Sequence, residues 1–407
     1  MQDMVFLAHR IPYPPDKGDK IRSWRLLEHF RTRYRVHLGC FVDDPADRAH
    51  LPWLAERCAS LCALELAPRR RKLQALGALG SERPLTFAYY ADRRLARWLA
   101  EVRARRAPVL EFAFSSGVAP ALEGGGAPRV VDLVDLDAEK WRLVAARRRG
   151  PMARLYAREG RTLAAAEAAI ARTADLTLLV SEAEAADLRR RDGVPGERVA
   201  VVPNGVDTGF FDPALAGPRP RPAPAVVFTG AMDYEPNADA VAWFADAVWP
   251  RLRAAHPELE FWIVGARPTP AVVALAARPG VVVTGRVDDV RPWLAHAELA
   301  VAPLRLARGL QNKVLEAMAM ALAVVATPAA TAGLDAATAA AAVTAPDAAA
   351  TAREVEALLA DPARRNRLGA AGRARMVRDW SWRARLDALD HRLEALGGAG
   401  AALERVA

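Results

Sequence analysis

Twice along this chain, short apolar runs of strand length alternate with segments of helical spacing, and one proline-rich stretch separates the two series. The first series of runs covers residues 4–8, 36–42, 61–66, 109–112, 130–134, 176–180 and 199–202. The second covers 226–229, 261–264, 281–284, 299–302 and 322–326. These runs are apolar almost throughout, as strands covered on both faces must be. Between them, Ile21, Trp24, Leu27 and Phe30 recur at helical steps within 21–33. Further helices are expected over 155–173, 237–254, 312–321, 348–359, 362–379 and 382–396, with Gly397-Gly398 ending the last. Strands that alternate with helices pair in parallel through crossovers. The expected fold is therefore α/β, with two Rossmann-like doubly wound parallel sheets.

The break runs from Pro203 to Pro224, where Pro218, Pro220, Pro222 and Pro224 fall at every second position. Alternating prolines hold a chain extended and mark a domain boundary. A first domain over 1–205, a linker over 206–224 and a second domain over 225–379 are expected, followed by a C-terminal helix within 380–407. The 407 residues exceed one ordinary core and suit two. Doubly wound sheets bind ligands beyond the carboxyl ends of their strands, so two such domains facing each other would hold a ligand in a cleft.

Charge is uneven. Residues 1–200 hold 35 Lys and Arg against 26 Asp and Glu, whereas residues 201–407 hold 22 of each. The formal net charge of +9 thus resides in the first half, in clusters such as Arg69-Arg70-Arg71-Lys72, Arg103 to Arg106 and Arg147-Arg148-Arg149. Such clusters are either solvated helix ends or a surface for membrane headgroups or a lipid-pyrophosphate acceptor. No aromatic residues interleave them, so nucleic acid is not expected as a partner. Cys40, Cys58 and Cys62 are too few for a disulfide framework and suit a reducing compartment. The segment 1–15 enters a strand at once and lacks the pattern of a secretory signal. The Ala-rich stretch 336–350 is too weakly apolar to span a bilayer. A cytoplasmic protein is expected, at most peripheral to a membrane.

Three places carry candidate chemistry. The loop Pro12 to Arg22 leaves the first strand and enters a helix. Gly18 would let a ligand approach the backbone, Asp19 would cap the helix, and Arg22 follows in its first turns. A plain capped βα loop reads equally well. Neither G-x-G-x-x-G nor a P-loop occurs here, and the glycine triplet Gly124 to Gly126 precedes a strand rather than following one. The second place is Asp132-Leu-Val-Asp135-Leu-Asp137 at a strand end. Asp135 and Asp137 could hold a divalent ion, Asp135 could act as a general base, or the group could cap the next helix. The third is residues 304–326, LRLARGLQNKVLEAMAMALAVVA. Arg308, Gly309, Gln311 and Asn312 lead into a helix whose N-terminus favours a diphosphate. Lys313 and Glu316 lie three apart on one face, one suited to a departing phosphate and the other to ribose hydroxyls. An exposed i,i+3 ion pair is the plainer reading.

These segments, with Pro203-Asn204-Gly205-Val206-Asp207 and Thr229-Gly230-Ala-Met-Asp233-Tyr-Glu-Pro-Asn237, resemble a retaining family-4 glycosyltransferase of the two-domain B type. Within it the chain is most similar to sugar transferases associated with exosortase (PEP-CTERM) and exopolysaccharide gene clusters. The resemblance implies a hexosyl transfer from a nucleoside diphosphate sugar to a polysaccharide or lipid-linked acceptor, with retention and without a metal or other cofactor. It implies a donor site in the second domain, built from Gly230, Gly285, Arg286, Arg308, Gly309, Gln311, Asn312, Lys313 and Glu316. Asp135 and Lys313 would be catalytic, Gly18, Asp19 and Arg22 would face the acceptor, and the last helix would return to the first domain. Two departures stand out. The family's first donor-site glutamate is replaced by Arg308, and the cation usual after the first strand of the second domain is missing at Ala231. The family's first-domain histidine is also not evident near Val134-Asp135. The alternative is a non-catalytic scaffold of the same fold that binds nucleotide or glycan.

Overall fold

A computed structural model describes residues 1–403 except 16, 147, 308 and 309, with the backbone alone over 397–403. The chain divides into two compact units: Met1–Pro203 together with the chain from Leu386 onward, and Asn204–Arg385. Among the described residues, the first unit holds β1 (Gln2–Ala8), β2 (Tyr34–Val42), β3 (Ser60–Glu65), β4 (Leu110–Phe114), β5 (Arg129–Val134), β6 (Leu176–Leu179) and β7 (Val199–Val201). They form one parallel sheet in the order β3-β2-β1-β4-β5-β6-β7. The second unit holds β8 (Ala225–Thr229), β9 (Glu260–Val264), β10 (Val281–Gly285), β11 (Leu299–Ala302), β12 (Val324–Ala326) and β13 (Val343–Thr344). Their order is β10-β9-β8-β11-β12-β13, again parallel. In each sheet the chain starts in the middle, builds to one side, then returns to build the other. The order therefore reverses between β1 and β4 and between β8 and β11, and those are the points where such sheets bind ligands.

The apolar runs explain the layering. Met4, Val5, Phe6 and Leu7 of β1 are fully buried, and the Phe6 ring stacks on Phe112 of β4 at 5.2 Å. In the second sheet Phe261 and Trp262 are fully buried on opposite faces, Phe261 against Phe244 and Trp262 against Trp293. Helices thus cover both faces of each sheet.

Two buried ion pairs fasten the helix Gly18–Arg31 under the first sheet. The Lys20 ammonium meets Asp47 at 2.8 Å, and Arg22 Nε donates to Asp132 Oδ2 of β5 at 2.7 Å. Arg22 and Asp132 are 1% and 0% exposed, so neither charge touches water. Arg22, expected to face an acceptor, turns its Nε inward to Asp132, whose buried charge it offsets.

The structure differs from the sequence reading elsewhere as well. Residues 206–224, expected as a linker, are packed within the second unit. Val206 pairs with Ser381, and Arg373 donates to the Phe211 carbonyl and pairs with Asp212 at 3.0 Å. The last helix, Trp382–Leu403, passes through Gly397-Gly398, where a C-cap was expected. Alanines on either side of these glycines favour the helix enough to carry it through. Leu386, Leu389 and Leu393 of that helix are buried, and its Asp390 accepts from His29 at 2.8 Å and pairs with Arg33. β13 is only two residues long and was not expected, and the helix-like sequence between residues 66 and 109 resolves into helices that include Pro68–Leu76 and Arg93–Arg106.

Removing one partner of a buried pair strands the other charge. Asp132→Ala is expected to destabilise the protein by about 3–5 kcal/mol, measured by urea unfolding. Lys140→Ala, on an exposed i,i+3 pair with Asp137, should stay within about 0.5 kcal/mol in the same assay.

Candidate functional site

In the second unit, three loops beyond the strand ends lie backbone against backbone. Gly230 N–H, just past β8, donates to the Val264 carbonyl at 3.0 Å, and Gly265 N–H donates to the Gly285 carbonyl at 3.2 Å. Gly265 has φ +155°, and a Cβ there would fall 1.7 Å from the Gly230 carbonyl oxygen. Only a residue without a side chain permits that approach. Gly230 itself has φ +156°, and its missing Cβ would meet Asn237 Nδ2 at 2.6 Å and Lys313 Cε at 3.5 Å. Gly285 closes β10 with φ +67° and open space around it, and Arg286 beside it is exposed with no ion pair among the described residues.

The helix Asn312–Ala319 follows β11 at the switch point. Gln311 stands at its N-cap, and its side chain makes no cap bond to the first N–H groups. Its buried face (Val314, Leu315, Met318) anchors it to the core. Gly369 and Gly372 of the helix Pro362–Arg375 pack against its C-terminal end, and Arg373 donates to its Ala319 carbonyl. Lys313 Nζ donates to Gln311 Oε1 at 3.1 Å and lies 5.8 Å from the centre of the Phe228 ring. It forms no ion pair with Glu316, so the plain surface-pair reading does not hold. Burial lowers the Lys313 ammonium below its usual value, partly countered by Glu316. Burial pushes the Glu316 carboxyl up to about 7, with Lys313 pulling the other way. The Glu316 carboxylate has no hydrogen-bond partner among the described residues. Arg308 and Gly309, expected in this site, lie outside the described residues.

Asn237 was not foreseen. It is 4% exposed, donates through Nδ2 to the Ala231 carbonyl at 2.9 Å, and leaves Oδ1 buried without a partner. Its place in the first turn of the helix Glu235–Ala247, just beyond the loop that leaves β8, was the available signal.

In the first unit, the helix Gly18–Arg31 starts at Gly18 with Lys17 as its N-cap, so Asp19 does not cap it. Asp19 sits one residue further in and turns back to the end of β1. There it meets Arg10 Nη1 at 2.5 Å and His9 Nε2 at 3.4 Å. Burial works against ionisation, but the His9 hydrogen bond and the Arg10 charge hold its carboxyl down at about 2. Nothing lies within 4 Å of where a Gly18 Cβ would be. His9 stacks on Phe114 at 5.7 Å, and its Nδ1 is buried without a partner, as is the Ser116 hydroxyl beyond β4. Neither residue was singled out by the sequence reading, although a His directly after the first strand was a usable signal. Asp135 follows Val134, a β-branched residue held at φ +67°, and is exposed. Burial of its surroundings raises its carboxyl above the usual value, with Lys140 opposing. Asp137 is taken up by Lys140 at 2.8 Å. No group of three His, Cys, Asp or Glu that could hold a metal ion occurs among the described residues.

Two family models match. Glycosyltransferase Family 4 covers residues 21–210, and Glycosyl transferases group 1 covers 223–361. The chain carries the paired domains of a GT-B glycosyltransferase. Solved structures share this fold along nearly the whole length. Sucrose-phosphate synthase from Thermosynechococcus elongatus is 18% identical, with 98% of this chain and 100% of that one covered at a TM-score of 0.67. Anabaena HepE in complex with UDP is 14% identical over 97% and 100%, at 0.65. The α,α-trehalose 6-phosphate synthase of Burkholderia multivorans is 14% identical over 98% and 100%, at 0.63. No curated protein sequence matches. In this glycosyltransferase no helix of the described residues is long and apolar enough to cross a membrane.

The Glu316 carboxyl makes a testable contribution to stability. Its folded pKa, about 7, stands above its ordinary 4.5, so between those values the folded chain holds a proton that the unfolded chain has lost. Stability therefore falls as pH rises through that range. Urea unfolding across it should show a steeper fall for wild type than for Glu316→Gln.

Proposed function

We propose that the chain transfers a hexose-type sugar from a nucleoside diphosphate sugar to a polysaccharide or lipid-linked acceptor. Exopolysaccharide biosynthesis at the cytoplasmic side of a membrane is its setting. The observation that carries the reading is the arrangement of Lys313 and Glu316. Two half-buried groups of opposite sign, unpaired with each other, stand at an uncapped helix N-terminus beside glycine-laced loops. Desolvating the Glu316 carboxylate without a protein partner is costly, and a ligand that brings hydroxyls to Glu316 and an anion to Lys313 removes that cost.

On this reading the diphosphate lies on the first N–H groups at Gln311 and Asn312, with Lys313 neutralising the charge that develops on the leaving phosphate. By the resemblance, Gly309 and Arg308 belong to the donor site as well. Glu316 accepts from the ribose hydroxyls, Gly230 gives the donor close access to backbone, and the base sits by Gly285 and Arg286. On the first unit, Gly18 and Asp19 border the acceptor, and Asp135 is the exposed carboxylate able to take its proton. Helix dipole and lysine do the work given to a metal ion in other transferases, so no metal is required, and the anomeric configuration is retained. Anabaena HepE is solved with UDP, with UDP and glucose, and with UDP-glucose, which makes UDP-glucose the first donor to try.

Thermal unfolding with UDP-, GDP- and ADP-sugars tests the donor site. One donor class at 100 times its dissociation constant should stabilise wild type by about 2.7 kcal/mol, and Glu316→Ala should lose that gain while staying folded. No gain from any donor would favour the non-catalytic scaffold, a reading that the missing cation at Ala231 keeps in play. Turnover should survive EDTA. Complete loss, restored by a divalent ion, would overturn metal independence.

A further inference from the structure

The helix Pro68–Leu76 presents its most apolar side chains outward. Arg71 and Ala75, four apart, form the buried stripe of this helix, and Ala78 continues it against Ala88. Leu73 and Leu76 lie on the opposite face, 69% and 46% exposed, and Leu79 in the following turn is 43% exposed. Arg69, Arg70 and Lys72 flank these leucines, are exposed, and make no ion pair among the described residues. Arg71 is the exception, buried on Asp92. Residues 66–81 contain no Asp or Glu. Beside the helix opens a pocket of about 360 Å3, lined by Gln74 of the helix itself and by Arg83, Phe87, Tyr90 and Arg93. The guanidinium groups of Arg83 and Arg93 make no ion pair among the described residues, which adds two cations to the same neighbourhood.

Solvent alone gives no reason for three leucines to stand out between unpaired cations. We propose that this helix and its following turn are a docking surface for an anionic lipid bilayer, with the leucines at the headgroup–acyl boundary and the arginines and lysine on lipid phosphates. Leucines outward and cations beside them are the chemistry of an interfacial helix. A second copy of the chain is a poorer occupant, because a twofold contact would set this cationic patch against itself. Nucleic acid is poorer still, since no aromatic ring interleaves the cations of the helix itself and three exposed leucines have no partner on a phosphate backbone. The inference deepens the acceptor side of the proposed function, where a lipid-linked acceptor calls for a membrane surface. It is read without donor or turnover, so its failure and the failure of the donor site remain distinguishable.

The test is flotation of the full chain with phosphatidylcholine vesicles and with mixed phosphatidylcholine–phosphatidylglycerol vesicles. Wild type should float with the mixed vesicles only, and should be released as salt shortens the Debye length toward about 3 Å. Leu73→Ser with Leu76→Ser, and separately Arg69→Glu with Arg70→Glu, should each weaken binding at least about tenfold while leaving thermal unfolding unchanged, because all four side chains are exposed. Absence of binding to either vesicle type, or binding equal in wild type and both variants, would overturn the proposal. So would light scattering that shows a wild-type dimer split by the leucine variant, which would assign the patch to self-association.

Discussion

A sheet of parallel strands needs helices on both faces, and that single requirement organises this molecule. It makes the strands apolar along their length, so that polar chemistry has almost nowhere to go except the strand ends and the loops beyond them. Where the strand order reverses, two loops leave in opposite directions and open a space at the carboxyl ends. Both units obey this. In the first, His9, Asp19 and Ser116 gather past β1 and β4. In the second, Gly230, Asn237 and the helix bearing Lys313 and Glu316 gather past β8 and β11.

Against that background the treatment of buried carboxylates separates scaffold from site. Glu159 accepts from the Leu85 and Thr86 N–H groups and from the Thr86 hydroxyl. Glu167 accepts from Ala138 N–H and from Arg191, and Glu111 is held by a two-bond grip from Arg103. Asp132 has Arg22. Each of these pins one element to another. Glu316 has no such partner, and its neighbour Lys313 is directed to Gln311 instead. A group left this way inside a folded protein is more economically explained by a ligand than by architecture. On the first helix the Arg22 Nε is committed to Asp132, while Asp19, one turn earlier, faces the strand end.

The uneven charge of the two halves fits the same division of labour. In the second half acids and bases balance. In the first, the excess includes the unpaired cations of the helix Pro68–Leu76 and of the pocket beside it, next to exposed leucines. Arg71 and Arg103 lie in the same basic runs, yet both are consumed in ion pairs with Asp92 and Glu111. A basic run in sequence is therefore not one thing, and its members divide according to which face of the helix they occupy.

The alternation of apolar runs with helical spacing was sufficient to read the α/β class and the two sheets, because a doubly covered strand must be apolar along its whole length. The segment around Lys313 and Glu316 was legible for a related reason, since a strand, a glycine and a helix start are local features. What the sequence could not supply was direction and partnership. Arg22 and Asp132 are 110 residues apart, and nothing local says that one neutralises the other rather than facing a ligand. Asp19 looked like a cap because the helix start was placed at Ile21, three residues beyond its position in the fold. The stretch 206–224 looked like a free linker because proline spacing says nothing of what Arg373 will bind. In the run Arg69-Arg70-Arg71-Lys72 nothing local says that Arg71 goes inside with Ala75 while Leu73 and Leu76 stay out. Sequence determines the period of a segment, whereas only the packed chain decides which face of that period meets water, because burial is settled by neighbours that are distant along the chain.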